Sequence, residues 1–220
     1  MLYNLIEDKI DCDEYGKSTV SNIYLDTPDF LLIRNSIDAK SYKEKLRIRS
    51  YGVPNDDSRV FFEIKKKYKG IVYKRRLSLT CNQVTDYIEN GNRPTDSQIM
   101  REIDWCMKIY ENPKPKVVLS YEREAFYWKN DKDIRLTFDR NVRYRMNDLS
   151  LQKGSSGVRI IPEDSILMEI KTPGSMPIEL AEILSLCKIY PSSFSKYGKA
   201  YMHYINNIEK NNEEGDIVYV

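Results

Sequence analysis

The sequence predicts an α+β fold in which an antiparallel β-sheet closes, or nearly closes, around a basic interior. Several segments alternate between apolar and polar residues with the period of a β-strand, and most of their polar positions hold Lys or Arg. The period becomes helical in the middle of the chain and again at its C-terminal end, which indicates the α+β class. A chain of 220 residues with 41% hydrophobic residues suits one domain with a sizeable core. We place that domain at residues 1–210 and a polar tail at 211–220.

In the first half of the chain, alternation and turn residues define each strand. The strands are predicted at 19–26, 41–51, 60–68 and 71–80, and Lys69-Gly70 joins the last two as a tight hairpin. One short helical turn is expected at 29–36, and the segment 52–58 (GVPNDDS) reads as a loop.

A helical insert follows the hairpin. A short helix is expected at 83–89, and Thr95 to Gln98 fits a capping box at the start of a second helix. After Pro113 and Pro115, a second hairpin is predicted from 117–128 and 133–139, extended by 141–145. One more strand (165–171) and two C-terminal helices, from Pro177 and over 193–209, complete the domain.

Charge and cysteine content narrow the functional classes. The formal net charge is only +2, from 35 basic and 33 acidic residues, so a basic site must come from segregated charges. This argues against a protein that coats nucleic acid. The four cysteines form no CxxC pair, which favours free thiols in a reducing compartment over a zinc site. Neither a signal peptide nor a membrane-spanning run is visible, so we expect a cytoplasmic protein, with a membrane partner on another chain left open.

Cations dominate the polar faces of the predicted strands. The basic members are Lys45, Arg47, Arg49, Lys65, Lys67, Lys74, Arg76, Arg123, Arg135 and Lys171. The acidic members are only Glu63, Asp139 and Glu169. A solvated face normally mixes signs, because like charges opposite each other in a sheet repel. If the C-terminal helices cover the apolar faces, the basic faces must line an interior that binds a polyanion.

Phosphate is the polyanion that these residue types suit best. The planar fork of Arg grips phosphate oxygens, and Lys adds point charge. Carboxylates are compatible with a nearby phosphate when a divalent cation lies between the two groups. Glu169 is the first candidate for a metal ligand, followed by Glu63 and Asp139; the alternative for each is an ion pair with a neighbouring Lys or Arg.

The same segments carry a resemblance to a known family. The motifs are YLDTPDF (24–30), YKEKLRIRSYG (42–52), FFEIKKK (61–67), VYKRRLSL (72–79), SYEREAF (120–126), IRLTFDRNV (134–142), LMEIKTPG (167–174) and FSKYGKAY (194–201). As an ordered set, they resemble the VTC domain (vacuolar transporter chaperone, polyphosphate polymerase type) of the CYTH or triphosphate tunnel metalloenzyme superfamily.

The resemblance implies a tunnel of about eight antiparallel strands in which the γ-phosphate of ATP is added to polyphosphate, with Mn²⁺ or Mg²⁺. It implies catalytic roles for Arg47, Arg49, Lys65, Arg123 and Arg135. Further phosphate contacts would come from Lys45, Lys67, Lys74, Arg76, Lys171, Lys196 and Lys199, and Glu169 would hold the metal. Such domains usually open with one more strand. Only about eighteen residues precede Thr19 and none of them reads as that strand, so we expect either a truncated chain or a tunnel that lacks one wall.

Three other functions stay open at this stage. The same tunnel could hydrolyse triphosphates, with a carboxylate activating water. Without its first strand it could instead be a module that binds polyphosphate or inositol polyphosphates without turnover. Binding of single-stranded nucleic acid requires aromatic platforms between the cations, and the predicted basic faces offer only Phe61, so we do not expect a nucleic-acid partner. The oligomeric state is not indicated by the sequence.

Overall fold

A computed structural model describes residues 2–38 and 41–215, with side chains up to residue 208. The strands are β1 (Ile10–Asp26), β2 (Tyr42–Tyr51), β3 (Arg59–Tyr68), β4 (Ile71–Thr80), β5 (Lys114–Trp128), β6 (Asp131–Arg145), β7 (Val158–Arg159) and β8 (Leu167–Lys171). The helices are α1 (Leu2–Ile6), α2 (Leu31–Asp38), α3 (Cys81–Asn90), α4 (Gln98–Ile109), α5 (Ile178–Leu186) and α6 (Lys196–Gly215), with a short 3₁₀ helix at Leu151–Lys153.

All eight strands belong to one antiparallel sheet. Its order is β4-β3-β2-β1-β5-β6-β7, and β8 pairs with another part of β6, on the same edge as β7. Within the described residues, the outer edge of β4 and the free edge of β8 pair with no further strand, so hydrogen bonds do not close the sheet. The predicted α+β class and the nearly closed antiparallel arrangement are confirmed.

The central strand β1 is much longer than the sequence predicted. It begins at Ile10 rather than Thr19, and its pairing with β5 shifts register between Cys12 and Lys17. Gly16 lies in this irregular stretch with a φ of +55°, a conformation that glycine adopts without strain. The bulge breaks the period-two pattern. For this reason, the alternation of apolar and polar residues predicted only the second half of β1. Residues 10–18, in which we expected no strand, therefore belong to β1, and helix α1 precedes them.

Helices of the central insert cover the apolar face of β2, β3 and β4. Leu46, Phe62 and Ile64 pack in one cluster with residues of α3 and α4, such as Ile103. The C-terminal helices were expected to cover such faces, and α5 does so on β6, where Leu180 and Leu184 join the cluster of Leu136 and Phe138.

Helix α6 contradicts that expectation, because it packs on the cationic side of the sheet. Tyr197 and Ala200 of α6 belong to a cluster with Tyr24, Leu119 and Tyr144. The ring of Tyr197 stacks on that of Tyr24, with centroids 4.4 Å apart. The start of α6 is therefore part of the interior rather than of the outer cover.

Two helix boundaries differ from the predicted ones. The cap of α4 is Ser97, whose hydroxyl accepts a hydrogen bond from the Met100 backbone, so the proposed capping box at Thr95 is wrong. A capping box does occur at α3, between Thr80 and Gln83. Helix α6 continues to Gly215, into the predicted polar tail, and residues 216–220 lie outside the described part.

Among residues 2–38 and 41–215, no helix combines the length and apolar character needed to cross a lipid bilayer.

Candidate functional site

The register of β2, β3 and β4 places their polar residues in rows across the sheet. One row joins Lys45, Lys65 and Lys74, which are direct cross-strand partners. The next joins Arg47, Glu63 and Arg76, and Tyr24 of β1 lies opposite Arg47. Arg49 lies opposite Asn22, and Lys43 opposite Lys67, at the two ends of this wall.

The lysine row concentrates positive charge. Directly opposed like charges destabilise a sheet unless something compensates them. Burial lowers the pKa of Lys45, Lys65 and Lys74, and neighbouring cations act in the same direction. Lys45 donates to the Ser195 hydroxyl at 2.8 Å, and Lys74 pairs with Glu63. Among the described residues Lys65 has no ion-pair partner, so this row suits an anionic ligand.

Glu63 is the centre of the Arg row. Its carboxylate is fully buried and accepts from Arg47 Nε at 2.7 Å, Arg76 Nε at 2.7 Å and Lys74 Nζ at 2.9 Å. Burial acts to raise the pKa of Glu63, but Arg47, Arg49 and Lys74 outweigh it and lower the pKa to about 2. The structure thus places this predicted metal ligand in ion pairs, where it holds three cations in position.

Arg123 and Asp139 form a second ion-pair centre, on β5 and β6. The guanidinium donates to both carboxylate oxygens, from Nε at 2.6 Å and Nη2 at 2.8 Å. Lys196, at the start of α6, reaches the same carboxylate at 2.6 Å and lies 4.5 Å from the centre of the Tyr121 ring. Asp139, another predicted metal ligand, is therefore engaged by two cations.

Further along β6, Arg135 lies between β5 and β8. It pairs with the buried carboxylate of Asp13 at 2.8 Å, and its cross-strand partners are Tyr127 and Lys171. Arg135 Nε is buried and has no hydrogen-bond partner among the described residues. A buried donor without a partner is costly, so Arg135 retains an N–H that an anionic ligand could satisfy.

The start of α6 connects the two walls, because Ser195 accepts a hydrogen bond from Lys45 of β2 at 2.8 Å and Lys196 lies 2.6 Å from Asp139 of β6. The charges of Glu169 and Lys171 on β8 act on the pKa of Lys65 on β3. Burial raises the pKa of Glu169, but Lys171, Arg123 and Lys196 together bring it below the usual value. Cations from β3, β5, β8 and α6 therefore share one space.

Tyr24 lies on the floor of this space. Its hydroxyl accepts a hydrogen bond from Arg47 Nη1 at 3.2 Å. Burial would raise the pKa of Tyr24, but Arg47 and Lys45 outweigh it and lower the pKa to about 8. Tyr24 was absent from the predicted site, as were Asp13 and Asn22. The alternation of YLDT could have revealed Tyr24, whereas Asp13 lies before the bulge of β1.

Some predicted residues lie at the margin of the space. Lys67 is exposed near the tip of the β3–β4 hairpin, and Lys171 is 64% exposed. Lys199 is exposed on α6 and has no ion-pair partner within the described residues. The structure brings together the others: Lys45, Arg47, Arg49, Lys65, Lys74, Arg76, Arg123, Arg135, Lys196, Glu63, Asp139 and Glu169.

Of the three predicted metal ligands, Glu169 is the one whose carboxylate is not held in a buried ion pair. Its side chain is 51% exposed, and its ion-pair contact is Lys171 at 3.5 Å. Its cross-strand partner is Thr137, whose buried hydroxyl has no hydrogen-bond partner among the described residues. In residues 2–38 and 41–215, no three His, Cys, Asp or Glu side chains gather as a metal site. One carboxylate with a spare hydroxyl fits a Mg²⁺-like ion that takes its other ligands from substrate phosphates.

An antiparallel sheet curled around facing cationic walls defines a protein of the triphosphate tunnel class. The comparisons agree: the VTC domain model matches residues 2–205, so the chain belongs to the VTC domain family. Members of the wider CYTH or triphosphate tunnel family are generally divalent-metal-dependent enzymes acting on triphosphates.

Solved structures are similar to this chain at low sequence identity. A putative adenylate cyclase from Bacillus halodurans is similar with a TM-score of 0.51 and 16% identity, over 88% of this chain and 87% of that one. A putative adenylyl cyclase from Hippeastrum, described as having a dominant triphosphatase activity, has a TM-score of 0.42 and 14% identity, over 65% and 69% of the two chains. No curated protein matches the chain.

Proposed function

We propose that this protein is a metal-dependent phosphotransferase that adds the γ-phosphate of ATP to a polyphosphate chain between the two cationic walls. The observation that carries the proposal is the row formed by Lys45, Lys65 and Lys74. These opposed lysines repel one another, and Lys74 is the one that pairs with a carboxylate among the described residues, so a dense anion beside the row would offset the repulsion.

The length of the cationic wall favours a chain of phosphates over a single small anion. Lys43, Lys45, Arg47 and Arg49 occupy alternate positions of β2. At 3.3–3.4 Å per residue, they cover about 20 Å along the strand. A lone triphosphate would leave part of that row without a counterion, whereas polyphosphate or a nucleotide with polyphosphate would occupy it.

In this mechanism the protein supplies mainly position and charge. Arg47 and Arg123, each held by a buried carboxylate, keep their guanidinium groups fixed before substrate arrives. Preorganised donors of this kind stabilise the charge of a transferring phosphoryl group without reorganising. The polyphosphate chain would contact Lys65, Lys171 and Lys196. The attacking group is a phosphate oxygen, so no strong protein base is required.

Glu169, with the Thr137 hydroxyl beside it, would hold Mn²⁺ or Mg²⁺. A divalent ion held there would supply Lewis-acid chemistry that offsets the negative charge of the phosphates. Glu63 and Asp139 act in our proposal as organisers of the neighbouring cations.

Incubation of the protein with ATP and Mn²⁺ tests the proposal, with the double variant Arg47→Ala, Arg49→Ala as a comparison. Long-chain polyphosphate from the parent protein, and none from the variant, is the expected result. Free phosphate alone would assign triphosphate hydrolysis instead. A variant that binds polyphosphate as tightly as the parent would contradict the assignment of the cationic walls.

A binding module without turnover is the second candidate. The observation that favours it is the sheet itself, because β4 and β8 leave a gap in the wall within the described residues. An open wall admits water and loosens the positions of the phosphates, which impairs transfer more than binding. Tight binding of tripolyphosphate with no product from ATP would support this candidate.

A further inference from the structure

An aromatic pair lies at one end of the cationic wall. Strand alternation puts Tyr51 on the same face as Arg47 and Arg49. Its cross-strand partner on β1 is Val20. The rings of Tyr51 and Phe61 meet edge to face, 5.8 Å apart at an interplanar angle of 77°. Tyr51 remains 52% exposed, so much of its ring is open to a ligand.

Cations flank this pair. The guanidinium of Arg76 lies 4.4 Å from the centre of the Phe61 ring and is fixed there by its ion pair with Glu63. Burial acts to raise the pKa of Tyr51, but Arg49 and Arg76 outweigh it and lower the pKa. An open aromatic ring next to fixed cations is the combination that binds a planar base joined to phosphates.

We propose that the Tyr51 ring stacks on the base of a nucleoside triphosphate, with Phe61 supporting it and the phosphates on the cations that follow along β2. This inference rests on the proposed function, since it assigns a nucleotide to the same site. It also gives the site a direction. The nucleoside lies at the Tyr51 end, and the phosphate chain extends towards Lys43 and Lys67.

Stacking predicts a preference for nucleotides with little discrimination by base identity, because every base has an aromatic face. Purine nucleotides should bind somewhat more tightly than pyrimidine nucleotides, and both more tightly than inorganic tripolyphosphate. The change Tyr51→Ala should remove this advantage.

The test compares dissociation constants for a non-hydrolysable ATP analogue and for inorganic tripolyphosphate, measured by calorimetry. Tyr51→Ala should weaken binding of the analogue about tenfold or more and leave tripolyphosphate binding unchanged. Tyr73→Ala is the matched control, because Tyr73 is 47% exposed on the opposite face of β4. It should change neither constant.

A second variant reports stacking directly. In Tyr51→Trp, the ATP analogue should quench the new indole fluorescence, whereas tripolyphosphate should not; the parent protein, with Trp105 and Trp128, supplies the baseline. Equal effects of Tyr51→Ala on both ligands, or no effect on either, would overturn the inference while leaving the anion site intact. If the parent protein bound neither ligand, both this inference and the proposed function would be wrong.

Discussion

Arg47 and Glu63 face each other directly across β2 and β3, and two guanidinium nitrogens lie 2.7 Å from the same carboxylate oxygen. The other oxygen of Glu63 accepts from Lys74 and Arg76. One buried carboxylate thus fixes three cations. The arrangement leaves the wall strongly positive and yet holds its guanidinium groups in place, as a phosphate site requires.

Replacing this carboxylate should destabilise the fold. In Glu63→Gln, three cations lose their shared counter-charge, and we expect a loss of about 3–5 kcal/mol in the free energy of unfolding. Urea denaturation measures it. Glu102→Gln is the control, because the pair of Glu102 and Arg75 is partly exposed and should contribute at most about 1 kcal/mol. Similar losses in both variants would show that burial of the Glu63 centre is unimportant.

The same carboxylate should make the stability of the fold depend on pH in the acid range. The pKa of Glu63 is about 2, against an ordinary value of 4.5. A lowered pKa means that the stabilisation is complete above the ordinary value and is lost as the pH falls from about 4.5 towards 2. The unfolding midpoint should fall over that window in the parent protein and change less in Glu63→Gln. Parallel pH curves would contradict this assignment.

Lys65 should contribute to affinity rather than to stability. Because it has no ion-pair partner among the described residues, Lys65→Ala should leave unfolding nearly unchanged while weakening tripolyphosphate binding about tenfold or more, as expected for a charged contact. Arg75→Ala removes a cation from the opposite face of the adjacent strand and should leave binding unchanged. Equal weakening in both variants would mean that only net charge matters.

Tyr24 should set a pH limit on anion binding. Its pKa of about 8 means that the phenol is neutral at pH 7 and becomes negative as the pH rises through 8, beside Arg47 and Lys45. The new negative charge repels phosphate, so tripolyphosphate affinity should fall between pH 7.5 and 9. Tyr24→Phe should remove the step near pH 8 from the affinity profile. An unchanged profile in the variant would assign the step to another group.

Much of this site follows from strand alternation alone. Wherever a strand is regular, as in β2, β3 and β4, period two identifies the face of each cation without further information. The rows of lysine and arginine are then set by register, which the short turn at Lys69-Gly70 determines for β3 and β4.

The sequence could not reveal features that depend on irregular backbone or on distant packing. The bulge between Cys12 and Lys17 hid half of β1 and with it Asp13, the partner of Arg135. The placement of α6 on the cationic side depends on contacts between Tyr197 and Tyr24, which are 173 positions apart and share no local pattern. The choice between ion pair and metal ligand for Glu63 likewise depends on distances, since both uses require a carboxylate on the same face.

Glu169 should govern the metal requirement separately from anion binding. In Glu169→Gln, the Mn²⁺ concentration for half-maximal turnover of ATP should rise about tenfold or more, because a charged metal contact is lost. Metal-free binding of tripolyphosphate should be unchanged or tighter, since the variant removes a negative charge beside Lys171 and Arg123. Glu163→Gln, which alters an exposed carboxylate paired with Arg159, is the matched control. A metal requirement equal to that of the control would exclude Glu169 as a ligand and move the site elsewhere.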